Sequence, residues 1–144
     1  MREWPPLLRF AVHATFTLMW LVGAGLFVLK HFYESKDAFG PHPWQPPLTE
    51  LHGILAVLAT FLFGLIVADY RARPRRHRAT GVVLIASLTW LVVTGFAEFF
   101  LVSEAWRGID ATLHEFVGLA WLLPWLAYLT WAQQPSSAEP ETDA

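Results

Sequence analysis

The chain of 144 residues is 55% hydrophobic and only 15% charged, with a formal net charge of -2 and no cysteine. Soluble domains have about 25% charged residues, so this composition is typical of a membrane protein and leaves little room for a soluble catalytic domain. The sequence contains no glycine-rich phosphate loop and no nucleophile motif. Without cysteine it forms neither a disulfide nor a thiolate-bound iron–sulfur cluster.

Four long apolar stretches, residues 10–29, 51–68, 79–97 and 116–132, follow one another along the chain, and each is free of Asp, Glu, Lys and Arg. A helix needs roughly 17 to 25 apolar residues to cross about 30 Å of hydrocarbon. The sequence therefore predicts an all-α fold, a four-helix transmembrane bundle in residues 1–134, followed by a flexible acidic tail in residues 135–144. The predicted spans are about 8–30, 48–70, 79–100 and 111–132. The first is too long for a signal peptide and no small-x-small site follows it, so it is expected to remain as a helix.

Positive charge predicts the orientation of these spans. Residues 71–78, between the second and third spans, carry five arginines, and short cationic loops stay in the cytoplasm. This interpretation places both termini in the cytoplasm, and residues 30–48 and 101–110 as loops outside, in a bacterial inner membrane. Binding of nucleic acid or anionic lipid by the arginines is less favoured, because so short a run between two spans is typical of a topology signal.

Tryptophan positions agree with these boundaries. Amphipathic rings prefer the membrane interfaces, and four tryptophans are expected there: Trp4 and Trp131 inside, Trp44 and Trp106 outside. Four others lie deeper: Trp20, Trp90, Trp121 and Trp125. A buried indole needs a partner for its N–H or a flat apolar surface, which either a bound macrocycle or ordinary helix packing supplies. Pro124 predicts a kink in the fourth helix.

Two histidines lie about one turn inside the second and fourth spans. Since both spans run from outside to inside, a rise of about 1.5 Å per residue places His52 and His114 at matched depth near the outer edge. An ionisable side chain within a span is costly and indicates a functional site. The pair predicts axial ligation of haem b, held noncovalently because the chain lacks Cys-x-x-Cys-His. The alternatives are another metal ion, a proton relay, or hydrogen bonds between helices.

Small residues near the two histidines would let a porphyrin or a neighbouring helix approach the backbone. The candidate cofactor-binding residues of this kind are Gly53, Ala56, Gly95 and Gly118. Small residues also line plain helix interfaces in membranes, and spacing alone does not separate the two roles. Haem propionates pointing outward would need cations near the outer interface. Lys30, Lys36 and Arg107 are available, and Arg107 is the one we select.

His13 lies near the cytoplasmic end of the first span, too far from the outer pair to join it. It is a candidate ligand of a second, inner haem, and a hydrogen bond to a neighbouring helix is the alternative. His77 in the basic loop is the only other histidine on that side. Asp69 and Tyr128 are polar groups near that depth, but neither is a usual haem ligand. The remaining histidines, His31 and His42, are expected at the outer rim.

Several short stretches also carry a resemblance. They are the segment HATFTLMWL starting at His13, with Gly23 and Gly25 after it, His42-Pro43 leading to Leu51-His52-Gly53, and Thr94-Gly95 before an aromatic outer end. Over nearly the whole chain apart from the tail, they resemble small bacterial four-helix membrane proteins that look like b-type cytochromes. The resemblance implies the outer histidine pair found here. It also implies inner histidines on the second and fourth helices, where this chain has Asp69 and Tyr128.

An iron with two histidine ligands has no open position, so the expected task is one-electron transfer, as a carrier or a redox-complex subunit rather than a stand-alone enzyme. Expected partners are the lipid bilayer and a quinone or redox protein, and no nucleic acid. Gly23 and Gly25 would allow close packing within or between protomers of a homo-oligomer. The alternative is a cofactor-free transporter subunit or assembly partner that handles protons or metal ions. Transporters often show inverted repeats, and none is evident.

Overall fold

The computed structural model describes residues 4–33, 42–71 and 78–132, and every regular element within these ranges is an α-helix. The helices are α1 (Pro6–Phe32), α2 (Gln45–Arg71), α3 (Arg78–Phe100), α4 (Glu104–Ala120) and α5 (Leu122–Ala132). The predicted all-α fold is confirmed for these residues. Lys36, His77 and the predicted tail in residues 135–144 lie outside the described residues.

Prolines mark the starts of α1 and α2. Pro6 is the first residue of α1, and Pro46 and Pro47 lie in the first turn of α2. Proline is tolerated there because the N–H that it lacks has no partner inside the helix, and its fixed φ suits the first turn. Both helices are 27 residues long, or about 40 Å at the usual rise per residue.

The fourth segment starts earlier than the sequence predicts. Residues 101–110 are expected as an outer loop, but α4 begins at Glu104, directly after Ser103 in an extended conformation with φ -74° and ψ 122°. A carboxylate in the first turn interacts favourably with the helix dipole. The helix therefore begins in a polar stretch that hydropathy assigns to a loop, and it extends beyond the predicted start of the span near residue 111, which stays a prediction.

The fourth segment is also interrupted at Trp121, where α4 ends and α5 follows. Pro124 lies in the first turn of α5. Because Pro124 has no N–H to donate to the carbonyl of Ala120, the hydrogen-bond ladder fails at this point. The interruption lies where the sequence predicts a kink.

The helices pack as a ring. α1 packs against α2 and α4, and α3 packs against α2, α4 and α5. α2 and α4 therefore lie on one diagonal of the bundle, and α1 and α3 lie on the other. This order allows inward-facing side chains of α2 and α4 to meet at the bundle centre.

The buried core occupies one half of the bundle, where the start of α1 and the end of α2 meet α3 and α5. Its rings are Phe16, Trp121 and Trp125, with centroids 5.3 to 5.4 Å apart. We call the whole cluster the aromatic core: Val12, Phe16, Ala59, Leu62, Ile66, Leu84, Leu88, Trp121 and Trp125. Helix packing thus supplies the flat surfaces that these two deep tryptophans need.

Large apolar side chains also cover the outside of the bundle. Phe10, Phe61 and Val93 are 69%, 68% and 59% exposed, and so extended an apolar exterior suits contact with lipid. Three helices among the described residues are long and apolar enough to cross a membrane: Pro6–Phe32, Gln45–Arg71 and Gly81–Phe100. The helices α4 and α5 have 17 and 11 residues.

Candidate functional site

One residue from each of four helices forms what we call the histidine layer: Gly23, His52, Gly95 and His114. His52 on α2 and His114 on α4 face each other across the bundle. Their ring centroids are 6.4 Å apart, and the ring planes make an angle of 82°. The structure therefore brings together the two histidines that the sequence pairs by depth.

The two glycines leave room for the imidazoles. A Cβ added to Gly23 would lie 3.2 Å from Cε1 of His52, and one added to Gly95 would lie 3.3 Å from Cε1 of His114. Optimal contacts between carbon atoms are about 3.5 to 4.0 Å long, so both positions are tight even for alanine. Each imidazole rests on the backbone of the preceding helix, α1 behind His52 and α3 behind His114.

The two histidines differ at Nδ1. Thr94 Oγ1 lies 2.8 Å from Nδ1 of His114, and Thr94 is buried in α3. Nδ1 of His52 is also buried, but it has no hydrogen-bond partner among the described residues. Thr94 immediately precedes the layer glycine of α3, and the corresponding residue of α1 is Val22, whose buried side chain has no polar atom. The pair of helices α3 and α4 therefore has a hydrogen bond to its layer histidine, whereas the pair α1 and α2 has none among the described residues.

Charged side chains gather beyond the layer, near the end of α1. Lys30 Nζ donates a hydrogen bond of 2.5 Å to Oε1 of Glu115, and His31 Nε2 lies 3.9 Å from Oε2 of the same carboxylate. Glu115 follows His114 in sequence but pairs with Lys30 and His31 of α1, not with an imidazole of the layer. Asp110, one turn before His114, buries Oδ2 without a hydrogen-bond partner in the part of the chain that the structure describes.

Two of the outer cations that the sequence offers to propionates, Arg107 and Lys30, have protein partners in this structure. Arg107 donates from Nε and Nη2 to the carbonyl of Leu101, at 3.2 and 2.8 Å, and so ties α4 to the end of α3. Lys30 pairs with Glu115. Contact between Arg107 and a cofactor stays a prediction, and it requires the guanidinium to give up or share this carbonyl.

The other small residues selected from the sequence lie in different surroundings. A Cβ on Gly53 would meet nothing within 4 Å, whereas one on Gly118 would lie 3.7 Å from Cδ2 of Leu91. Gly118 therefore takes part in helix packing, and Gly53 is on the exposed side of α2. Ala56 is half-buried, and its carbonyl accepts a hydrogen bond from Thr60. Their predicted roles in cofactor binding stay predictions.

His13 lies beside the aromatic core, at the other end of the bundle. Its ring centroid is 5.5 Å from that of Trp125, and its buried Nδ1 has no hydrogen-bond partner among the described residues. Tyr128 stacks on the same tryptophan at 5.9 Å, and Asp69 accepts a hydrogen bond from the side chain of Trp4. A second haem at His13 stays a prediction.

The two histidines expected at the rim lie outside the bundle interior. His31 stacks on Phe27 with centroids 4.2 Å apart, and it is exposed. His42 lies before α2 and has its ring centroid 6.3 Å from that of Tyr33. Neither ring contacts the histidine pair, so the layer contains two imidazoles from the described residues.

The separation of the layer histidines suits a shared metal. Two imidazoles on opposite sides of the same metal ion, each bound through a nitrogen at about 2 Å, have ring centroids roughly 6 Å apart. The observed separation is 6.4 Å. No group of three or more His, Cys, Asp or Glu side chains placed to hold a metal ion occurs in residues 4–33, 42–71 and 78–132. Two axial imidazoles are one of the ligand sets that a protein can offer to a porphyrin iron, whose usual protein ligands include histidine.

Two residues of the layer and its surroundings are not assigned to the site from the sequence. Gly23 is expected only in close helix packing, and Thr94 only within a Thr-Gly motif. A usable signal exists in retrospect, since each histidine has a glycine at matched depth on the preceding helix. Depth matching does not reveal which face a residue occupies, so the signal identifies candidates but not contacts.

Comparison with family models, with characterised proteins and with solved structures finds no match for this chain.

Proposed function

We propose that this chain is a membrane b-type cytochrome that carries electrons, with haem b held between His52 and His114. One observation carries the proposal: imidazoles from diagonally opposite helices meet at the bundle centre with centroids 6.4 Å apart. Helix bundles build cofactor sites from such inward-facing side chains. Haem would supply one-electron redox chemistry there, because iron with two histidine ligands has no open position.

The protein residues around the pair have separable roles in this proposal. Gly23 and Gly95 keep the neighbouring helices free of side chains where the imidazoles rest. Thr94 holds the ring of His114 through Nδ1. The aromatic core fixes the helices in register, so that the two histidines arrive at one level.

The proposed topology has four spans, with α4 and α5 together forming the fourth and both termini in the cytoplasm of a bacterial cell. The histidine layer then lies toward the outer side of the inner membrane. A quinone or a redox protein at that side is the proposed exchange partner. A haem at this depth leaves most of the membrane uncrossed, so transfer across it requires a second site, such as one at His13, or another subunit.

Visible spectroscopy tests the cofactor directly. We would record reduced-minus-oxidised spectra and quantify haem as the pyridine haemochrome, in wild type and in the variants His52→Ala, His114→Ala and His13→Ala. The control is His31→Ala, an exposed histidine outside the bundle. A sharp low-spin b-type α band, lost in the first two variants and kept in the control, is the expected result. Loss of half the haem in His13→Ala would assign a second haem to that histidine.

The same experiment can overturn the proposal. A folded wild-type protein that carries no haem after expression with ample haem supply contradicts it. The favoured function would then be that of a cofactor-free transporter subunit or assembly partner, whose intramembrane histidines handle protons or metal ions. A haem that survives both His52→Ala and His114→Ala would instead assign the ligands elsewhere.

The topology can be tested with single cysteines, because the natural chain has none. Ser103→Cys lies between α3 and α4, and Ser136→Cys lies in the acidic tail. We expect a membrane-impermeant maleimide to label the first in intact cells and the second only after the membrane is opened. Labelling of both from outside would contradict a cytoplasmic C-terminus.

A further inference from the structure

The Thr94 hydroxyl contacts more than the imidazole of His114. Thr94 Oγ1 lies 2.9 Å from the carbonyl oxygen of Trp90 and 3.3 Å from that of Leu91, as well as 2.8 Å from His114 Nδ1. A threonine in a helix commonly donates its hydroxyl hydrogen to a carbonyl one turn earlier. A carbonyl has no hydrogen to offer in return, so these contacts assign the single hydroxyl hydrogen to the helix backbone.

The direction of the remaining hydrogen bond follows. A hydroxyl has one hydrogen and two acceptor lone pairs. With its hydrogen on the backbone carbonyls, Thr94 Oγ1 accepts from Nδ1–H of His114; in the opposite arrangement Thr94 would donate to an unprotonated Nδ1 and release the carbonyls. In a neutral imidazole the other nitrogen, Nε2, is left with its lone pair.

We propose that Thr94 is a positioning residue that holds His114 in the Nδ1–H tautomer, whereas nothing in the described chain does the same for His52. The functional role of this tautomer rests on the proposed function, since the free Nε2 is the atom that would bind the haem iron. The two ligands are therefore unequal: His114 is oriented and made more basic by its acceptor, and His52 is not. Acceptors on the second ring nitrogen are known to orient ligating histidines and raise their basicity.

The helix α1, which lies behind His52, supplies a matched control. Val22 precedes Gly23 as Thr94 precedes Gly95, and Val22 and Thr94 are both buried, at 6% and 4% exposure. Valine and threonine have nearly the same shape, so exchanging them adds or removes a hydroxyl with little change in volume. Thr94→Val removes the acceptor beside His114, and Val22→Thr places a hydroxyl at the corresponding position beside His52.

The tautomer can be measured without haem. We would label histidine with ¹⁵N in the full chain, prepared free of haem in lipid nanodiscs at alkaline pH, and identify the protonated ring nitrogen from its one-bond coupling to hydrogen. We expect His114 to be protonated at Nδ1 in wild type and Thr94→Ser, and to become a mixture of tautomers in Thr94→Val. A His114 protonated at Nε2 in wild type, or no difference between the three proteins, would overturn the inference.

The second readout is the midpoint reduction potential of the haem, measured on the haem-loaded protein. A more basic ligand favours the oxidised iron, so Thr94→Val should raise the potential, Thr94→Ser should leave it near the wild-type value, and Val22→Thr should lower it. Equal potentials in all four proteins would overturn the unequal roles of the histidines. If the wild type carries no haem, the proposed function fails, while the tautomer measurement still decides whether Thr94 orients His114.

Discussion

The histidine layer and the aromatic core are built in opposite ways. In the aromatic core, indole and phenyl rings fill the space between helices, and Trp125 is only 2% exposed. In the layer, two of the four positions are glycine, and the other two are imidazoles that form no ion pair with the residues that the structure describes. Dense packing is what holds helices together in lipid, where the hydrophobic effect does not distinguish a neighbouring helix from a lipid tail.

The difference separates stability from function. The aromatic core maximises van der Waals contact and has no free polar group other than the indole N–H of Trp121, which is buried without a hydrogen-bond partner among the described residues. The layer gives up contact at Gly23 and Gly95 and accepts the cost of burying two imidazoles. Polar side chains within a membrane are expensive, and the proposed cofactor site would explain why the cost is accepted here.

The largest expected effect comes from opening the aromatic core. Trp125→Ala removes a buried ring that packs on Phe16, Trp121 and Tyr128, and deletions of this size typically cost about 3 to 5 kcal/mol. We expect a lower thermal unfolding midpoint in detergent, with the low-spin spectrum retained in the folded fraction. The matched control is Trp90→Ala, since Trp90 is 45% exposed on the outside of α3. Equal losses in the two variants would contradict the structural role of the core.

An intermediate effect is expected from filling the layer. Gly23→Leu and Gly95→Leu force each imidazole to move, because even a Cβ would lie 3.2 or 3.3 Å from Cε1. Overpacking of this kind costs about 1 to 3 kcal/mol, and we expect haem content to fall further than stability does. Gly64→Leu is the control, since Gly64 is exposed on α2 and a Cβ added there would meet nothing within 4 Å. Normal haem content in the first two variants would show that the imidazoles need no such clearance.

The smallest effect is expected at the rim. Lys30 and Glu115 form an ion pair whose side chains are 41% and 22% exposed, and partly exposed pairs contribute about 0.2 to 1 kcal/mol. A double-mutant cycle with Lys30→Met and Glu115→Gln should give a coupling in that range, and the coupling should shrink at high salt. A coupling of several kcal/mol, or one that salt does not change, would mean that the rim stabilises the bundle as the core does.

Where a long apolar stretch marks a span, composition predicts the position of the helix closely. The spans predicted at 8–30, 48–70 and 79–100 agree with α1, α2 and α3 to within three residues at each end. The agreement is close because a span requires about 20 consecutive apolar residues, a pattern that is easy to locate in a sequence. The fourth segment was harder. Its first turns are polar and were predicted as a loop, although Glu104 starts a helix there.

The histidine pair was predictable and its surroundings were not. Orientation and rise per residue place His52 and His114 at one depth, and in the structure their ring centroids are 6.4 Å apart. Depth says nothing about rotation about the helix axis, so it could not reveal that Gly23 and Gly95 face the rings while Gly53 faces away. The bond between Thr94 and His114 depends on that rotation too.

The sequence by itself determined that this chain is helical, apolar enough for a membrane, and equipped with two histidines near the starts of two apolar segments. These properties are local, since they depend on composition and on the fixed rise of a helix. The tertiary structure alone decided which helices lie on each diagonal and which glycines back the imidazoles. It also decided why Nδ1 of His114 has a hydrogen-bond partner, whereas Nδ1 of His52 has none among the described residues. Those features depend on how helices rotate and pack against one another, which is set by many side-chain contacts at once.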